Sequence, residues 1–109
     1  MNKPTSLNQN RDFVRLYKRG KSQVHPLLVT YLSKNRSGET RVGITATKKV
    51  GCAVKRNRAK RVIRAAYRTL PTSLPSGYDI IFVARTRTTA CKMQQLREVM
   101  AEQLRRLTT

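Results

Sequence analysis

Positive charge is concentrated in residues 55–68, which read KRNRAKRVIRAAYR. Half of these residues are Lys or Arg, and none is acidic. A guanidinium group can hold a phosphate with two parallel hydrogen bonds and can stack on a base, and an ammonium group binds phosphate as a point charge. These side chains make the segment suited to binding a polyanion, and nucleic acid is the first candidate.

The whole chain shares this bias. Its 109 residues include 24 Lys and Arg against five Asp and Glu, which gives a formal net charge of +19. Such a charge weakens the compact state by self-repulsion, so we expect it to serve contact with a polyanion. An anionic membrane and an acidic protein are the second and third candidates. The charges on an ordinary solvent-exposed helix face usually alternate in sign, but no residue between Glu39 and Asp79 is acidic.

The other reactive side chains do not form a catalytic set. Only Glu98 and Glu102 among the acids share a helical face, and His25, the single histidine, is expected at the surface or in a hinge. Cys52 and Cys91 are too few for a zinc site or a disulfide scaffold, so we expect buried cysteines in a reduced, cytoplasmic protein. These residues indicate a binding protein. If it belongs to an enzyme, the catalytic groups come from another component.

Apolar patterning predicts the elements that position the basic segment. Asn8 or Asn10 caps the first helix and Gly20 ends it, and the first strand pairs with the second as an antiparallel hairpin. We predict helices over 8–20, 53–70 and 91–107, strands over 27–33, 41–47 and 78–85, a proline-containing linker over 71–77 and a flexible start over 1–7. The fold class is α+β. We expect a small two-layer α/β sandwich in the order α-β-β-α-β-α, with one mostly antiparallel sheet, forming a single nucleic-acid-binding domain over 1–109.

On a helical wheel the basic helix divides into two faces. The apolar side, which we predict to be buried, comprises Ala59, Val62, Ile63, Ala66, Tyr67 and Leu70. The charged side comprises Asn57, Lys60, Arg61, Arg64 and Arg68, with Arg56 and Arg58 flanking the apolar stripe. A continuous ridge of this kind has the shape that can lie beside a phosphate backbone.

Two further features favour nucleic acid. Lys48 and Lys49 precede Gly51, in a loop that can bring backbone N–H groups and ammonium groups to one phosphate near a helix N-terminus. Phe13, Tyr17 and Tyr31 could stack on unpaired bases. Ordinary core packing explains the spacing of these aromatic residues equally well.

The segment RVGITATKKVGCAVKRNRAKRVIRAAYR, preceded by LNQNRDFVRLYKRG, resembles the protein subunit of bacterial ribonuclease P. That family carries the motif K-x-x-G-x-A-V-x-R-N-R-x-K-R-x-x-R. The matching residues here are Lys48, Gly51, Ala53, Val54, Arg56, Asn57, Arg58, Lys60, Arg61 and Arg64. The resemblance extends from about Leu7 to the last helix. It departs at Cys52, where relatives often have Asn, and at Ala65, where Glu or Gln is common.

The resemblance implies a function and a set of binding residues. An RNA subunit would remove the 5′ leader of precursor tRNA with Mg²⁺, and this protein, which would bind no cofactor itself, would pair 1:1 with that RNA and also hold the leader. The residues implied for the catalytic RNA are Lys48, Lys49, Arg56, Asn57, Arg58, Lys60, Arg61, Arg64 and Arg68. Those implied for the leader, in a cleft between the first helix and the sheet, are Phe13, Tyr17, Val29, Tyr31 and Ala46. The resemblance also implies a left-handed βαβ crossover through the basic helix.

Two alternative functions would also explain the positive charge of the chain. A structural ribosomal protein would bind RNA without distinguishing precursor from mature tRNA. A membrane-active cationic protein would need an exposed apolar face opposite its charges.

Overall fold

In a computed structural model, the protein is described over residues 5–7, 10–36, 38–70 and 77–108. Asn8 and the linker residues 71–76 lie outside this part of the chain. The strands are β1 (Thr5–Ser6), β2 (Lys21–His25), β3 (Leu28–Lys34), β4 (Arg41–Ala46) and β5 (Tyr78–Ala84). The helices are α1 (Asn10–Arg19), α2 (Ala53–Arg68) and α3 (Met93–Thr108), with 3₁₀ turns at Lys48–Val50 and Thr86–Ala90.

The strands form one sheet in the order β1-β4-β5-β3-β2. β5 pairs antiparallel with β3 and parallel with β4, and β2 and β3 form an antiparallel hairpin. This arrangement confirms the α+β class and a β4–α2–β5 crossover, whose handedness stays a prediction. The predicted hairpin between β3 and β4 is wrong because β5 lies between them. β5 contains a run of buried residues, Ile80–Phe82, and such a strand needs partner strands on both sides.

The two faces of the sheet carry separate apolar clusters. Side chains alternate along β5, so that Ile80 and Phe82 join the main core with α2 and α3, whereas Ile81 packs with Leu16 of α1 and Leu7. The main core contains most of the buried apolar residues. α1 therefore covers a second face of the sheet, in addition to the two layers that the sequence predicted.

Gly20 ends α1, as predicted, but not through a left-handed conformation, because the positive-φ glycines of the described chain are found elsewhere. A Cβ atom at Gly20 would lie 2.7 Å from the carbonyl oxygen of Leu16 and 3.2 Å from that of Leu32. The chain therefore needs glycine here for close approach of α1 to β3.

The predicted flexible start is wrong for residues 5–7. β1 pairs with β4 in parallel, and the N–H of Leu7 donates to the carbonyl of Val42 at 2.9 Å. Leu7 is 4% exposed. Burial of its apolar side chain beneath α1 offsets part of the conformational entropy that this segment loses. Residues 1–4 lie outside the described residues.

Asp79 in β5 carries a fully buried carboxylate, which lies beside both α1 and β4. It accepts hydrogen bonds from Arg41 Nε and Nη2 at 2.8 and 2.7 Å, from Asn35 Nδ2 at 2.8 Å and from Arg15 Nη2 at 2.5 Å. Asp12 Oδ1 lies 3.4 Å from Arg15 Nη2 and 4.0 Å from Arg41 Nη2. We call Asp12, Arg15, Arg41 and Asp79 the ion cluster.

The cluster changes the titration of Asp79. Burial alone would raise the pKa of its carboxyl, but the hydrogen bonds from Arg41 and Asn35 and the charges of Arg41 and Arg15 outweigh burial and hold the pKa below its ordinary value. A carboxyl with a lowered folded-state pKa stabilises the fold above its unfolded pKa. That contribution is lost as pH falls through the folded-state pKa.

We expect Asp79→Asn to lower the free energy of unfolding at pH 7 by roughly 3 kcal/mol, because two guanidinium groups lose their buried counter-charge. The native protein should lose stability below about pH 4, and the variant should lack that part of the pH dependence. Urea unfolding at constant ionic strength measures both effects. Glu102→Gln, which removes two exposed ion pairs, should change little. An unchanged pH dependence in Asp79→Asn would contradict the assignment.

Candidate nucleic-acid interface

The two faces of α2 lie as the helical wheel predicts. Ala59, Ile63 and Ala66 are fully buried, and Val62 and Tyr67 are partly buried against the same core. We call the nine residues predicted to bind RNA the basic face. Two of them, Arg56 and Lys60, are half-buried. The other seven are exposed: Lys48, Lys49, Asn57, Arg58, Arg61, Arg64 and Arg68. The sheet thus supports a cationic surface that faces away from the core.

No cation of the basic face forms an ion pair within the described part of the chain. The salt bridges there belong to the ion cluster and to Glu102, which holds Arg105 and Arg106 at 2.6 and 2.9 Å. The buried Nε of Arg56 has no hydrogen-bond acceptor among the described residues. A phosphate oxygen at the exposed cations of the basic face would supply the missing negative charge.

The N-terminal end of α2 adds free donors to the basic face. Gly51 has φ 136° and ψ −155°, a conformation that L-residues rarely adopt, and it joins the Lys48–Val50 turn to the helix. Cys52 occupies the N-cap position, but its side chain makes no capping hydrogen bond. The first N–H groups of α2 are therefore available to an anion.

Cys52 itself is exposed, so the expectation of a buried thiol is wrong there. The backbone N–H groups of Lys55 and Val54 lower the pKa of its thiol. Cys91 is half-buried against the core, and burial raises its pKa. His25 lies in the β2–β3 hairpin, where its Nδ1 accepts from the N–H of Leu27 at 3.1 Å, in agreement with a surface turn role.

A second surface lies on the other face of the sheet, beside α1. The predicted aromatic residues are brought together there: the ring centroids of Phe13 and Tyr17 are 6.3 Å apart, and those of Tyr17 and Tyr31 are 4.9 Å apart in an edge-to-face contact. A Cβ atom at Gly43 would lie 2.9 Å from Cζ of Phe13, so this ring rests on the backbone of β4. Tyr17 is 43% exposed. These rings are thus partly packed and partly open to a ligand.

An apolar strip continues this surface across four strands. The pairing register aligns Thr45 with Val83, Val83 with Val29, and Val29 with Val24, so these side chains share the α1 face. Val24 on the edge strand is 70% exposed. At an inter-strand spacing of about 4.8 Å the strip is about 14 Å across. We call the aromatic residues and this strip together the α1-side surface.

The structure places Val29 on the α1-side surface but not Ala46, so the assignment of Ala46 to this site is wrong. Ala46 packs against the main core on the α2 side of the sheet. Its neighbour Thr45 occupies the position in β4 that faces α1. Successive strand residues point to opposite faces, and a shift of one residue therefore moves a side chain to the other surface.

Sequence reasoning missed the cation at the end of this strip. Arg85 follows β5 with φ −113° and ψ 170°, so the alternation that puts Ile81 and Val83 on the α1 face also directs Arg85 there. The buried Thr88 fixes this turn, since its Oγ1 donates to the carbonyl of Leu27 at 2.6 Å and accepts from the N–H of Arg85 at 2.8 Å. The two-residue period, applied to the last residue of the predicted strand 78–85, could have found Arg85.

Among the described residues no group of three or more His, Cys, Asp or Glu side chains could hold a metal ion. No described helix has the length and apolar character needed to cross a membrane.

Comparison with known proteins gives consistent results. The family model described as Ribonuclease P matches residues 1–108. The ribonuclease P protein component of Clostridioides difficile strain 630 is 46% identical over 85 residues, covering 77% of this chain and 75% of the relative. That of Pelotomaculum thermopropionicum is 39% identical over 100 residues, covering 92% of this chain and 89% of the relative.

Solved structures agree with this chain in fold. The Staphylococcus aureus RNase P protein superposes with a TM-score of 0.80 at 32% identity, covering 94% of each chain. The RNase P protein from Thermotoga maritima superposes with a TM-score of 0.78 at 30% identity, covering 92% of this chain and 96% of the other.

We expect Arg64→Ala to weaken binding to a structured RNA and to reduce the slope of log affinity against log salt by about 1, because one phosphate contact is lost. Urea unfolding should be nearly unchanged, since Arg64 is exposed. Arg105→Ala is the matched control, because it removes an exposed Arg outside the basic face. Equal salt slopes for Arg64→Ala and the native protein, or global unfolding of Arg64→Ala, would contradict the position of the basic face.

Proposed function

The chain belongs to the ribonuclease P protein family, and from this premise we propose that it binds the RNA subunit of ribonuclease P and assists removal of the 5′ leader from precursor tRNA. The observation that carries the proposal is the pairing of two different surfaces on one sheet. One is an unpaired cationic face suited to folded RNA, and the other is an apolar and aromatic surface suited to unstacked bases.

The basic face is the proposed contact with the RNA subunit. A folded RNA presents phosphates in a fixed array, and the α2 ridge presents Arg61, Arg64 and Arg68 along one side of a rigid helix. The Lys48–Val50 turn and the free N–H groups of α2 extend this array at one end. We expect one protein for each RNA subunit, as the family resemblance implies.

The α1-side surface is the proposed contact with the leader. Single-stranded nucleic acid is held by aromatic rings that stack on bases and by cations that follow the backbone. Phe13, Tyr17 and Tyr31 supply the rings, and Arg85 stands at the end of the apolar strip. Mature tRNA lacks the leader and cannot occupy this surface, so the protein should favour the precursor.

The hydrolytic step is assigned to the RNA subunit. A two-metal mechanism needs clustered oxygen ligands, whereas Asp12 and Asp79 are engaged by Arg15 and Arg41, and Glu102 is engaged by Arg105 and Arg106. These residues do not fit a Mg²⁺ site, and we derive no metal-dependent step through this chain. The protein would lower the repulsion between catalytic RNA and precursor and position the leader, leaving Mg²⁺ to the RNA. We place this activity in the cytoplasm, as the sequence predicted.

The two alternatives explain less of the molecule. A ribosomal protein would use the basic face, but it has no need of the α1-side surface. A membrane-active protein would need the apolar side of α2, which is buried at Ala59, Ile63 and Ala66.

With the RNA subunit present, we expect precursor tRNA to bind more tightly than mature tRNA. Tyr17→Ala and Phe13→Ala should reduce this preference by about 1–3 kcal/mol per lost base stack. Val14→Ala, which removes an exposed apolar side chain of the same helix, should not. Fluorescence binding titrations with both tRNAs measure the preference. Equal affinities of the native protein for precursor and mature tRNA would favour the ribosomal alternative.

Leader removal should require both components at physiological Mg²⁺. The assay combines the protein, the RNA subunit and a labelled precursor, and each component is also tested alone. Efficient cleavage by the protein without RNA would overturn the assignment of the chemistry.

A further inference from the structure

We infer that Arg15 is a positioning residue for leader binding: through Asp79 it fixes the aromatic side of α1 over the sheet. This inference rests on the proposed function of the α1-side surface. Arg15 reaches Asp79 across 64 residues of sequence, with Nη2 2.5 Å from Oδ2. Among the hydrogen bonds of the described residues, this is the one that joins a side chain of α1 directly to β5.

α1 crosses the strands rather than running along them. Phe13 rests on Gly43 of β4, Leu16 packs with Ile81 of β5, and Tyr17 meets Tyr31 of β3. Arg15 falls on the side of the helix away from these rings, since it is two residues from both Phe13 and Tyr17 and each residue advances 100°. The aromatic rings and the ion cluster therefore hold opposite sides of one short helix.

The contacts of Phe13, Leu16 and Tyr17 with the sheet are apolar or aromatic, and among the described residues Arg15 adds a short, directional polar contact to them. Within the described part of the chain, the apolar cluster beneath α1 has Leu7, Leu16 and Ile81 as its buried members, with Phe13, Tyr31 and Val83 packed against them. The apolar contact decides which face of α1 is buried, but its attraction is non-directional and constrains the tilt less sharply than a hydrogen bond does. The hydrogen bond from Arg15 is directional and ends on a buried carboxylate that Arg41 also holds.

The charges of the cluster strengthen the argument. Two carboxylates, Asp12 and Asp79, are balanced by two guanidinium groups, Arg15 and Arg41. Removal of Arg15 leaves two carboxylates sharing Arg41, and one of them is carried by α1 itself. The resulting repulsion would push this side of α1 away from β5 and rotate Phe13 and Tyr17 relative to Tyr31.

Arg15→Gln tests the inference, with Arg11→Gln as the matched control because Arg11 is an exposed cation of the same helix without an ion pair among the described residues. If Arg15→Gln leaves α1 in its binding orientation in only about a tenth of the molecules, the preference of this variant for precursor over mature tRNA falls about tenfold. Affinity for the RNA subunit alone should be unchanged, since α2 lies on the other face of the sheet. Arg11→Gln should keep the full preference.

Two further measurements separate positioning from direct phosphate contact. The nuclear Overhauser effects between the rings of Tyr17 and Tyr31 should weaken in Arg15→Gln and persist in Arg11→Gln. The salt slope of precursor binding should not change, whereas loss of a phosphate contact would lower it by about 1. A lower slope with intact ring contacts would overturn the inference.

The remaining outcomes are also decisive. If Tyr17→Ala loses the precursor preference and Arg15→Gln keeps it, the inference is wrong and the proposed function stands. If Tyr17→Ala keeps the preference, the proposed leader surface itself is wrong. Should Arg15→Gln unfold, Arg15→Lys keeps the charge balance but loses the planar fork. It should then show a smaller loss of preference with native urea unfolding, and an unchanged preference would overturn the inference.

Discussion

The arrangement of this protein depends on one buried carboxylate in a chain of formal charge +19. Asp79 is fully buried, and four donor groups from Arg15, Arg41 and Asn35 reach its two oxygens. An uncompensated charge at this position would cost several kcal/mol, so the carboxylate and its partners form as a unit. Through them β5 is fixed beside β4, and α1 is fixed on the face opposite α2.

The few acidic residues are placed so that the basic face stays unpaired. Asp12 and Asp79 are used within the ion cluster, and Glu102 is used by Arg105 and Arg106 on α3. The salt bridges of the described residues therefore lie in the ion cluster and on α3, away from the basic face. The charge of α2 is left uncompensated within the described residues, and a bound polyanion can release counterions there.

Local features of the sequence predicted the helices and the basic face, because a period of 3.6 residues assigns Ile63 to the apolar face and Arg64 to the charged face without tertiary information. Strand pairing was less predictable. The insertion of β5 between β3 and β4 depends on contacts such as Arg41 to Asp79, 38 residues apart. β2 was missed because KSQVH is a polar edge segment without an apolar run. Ala46 was misplaced because strand parity depends on a single residue of register.

The two surfaces lie on opposite faces of the sheet, yet the connections of the fold bring their ends together. β4 and β5 are parallel neighbours joined by α2, so the turns that follow both strands lie at the same edge of the sheet. One turn carries Lys48 and leads into the basic face, and the other carries Arg85 at the end of the apolar strip. A chain bound on the α1 side and a folded RNA bound along α2 would thus approach each other at this edge. Their phosphates would repel most strongly there, and the free N–H groups of α2 and both cations are placed to offset that repulsion.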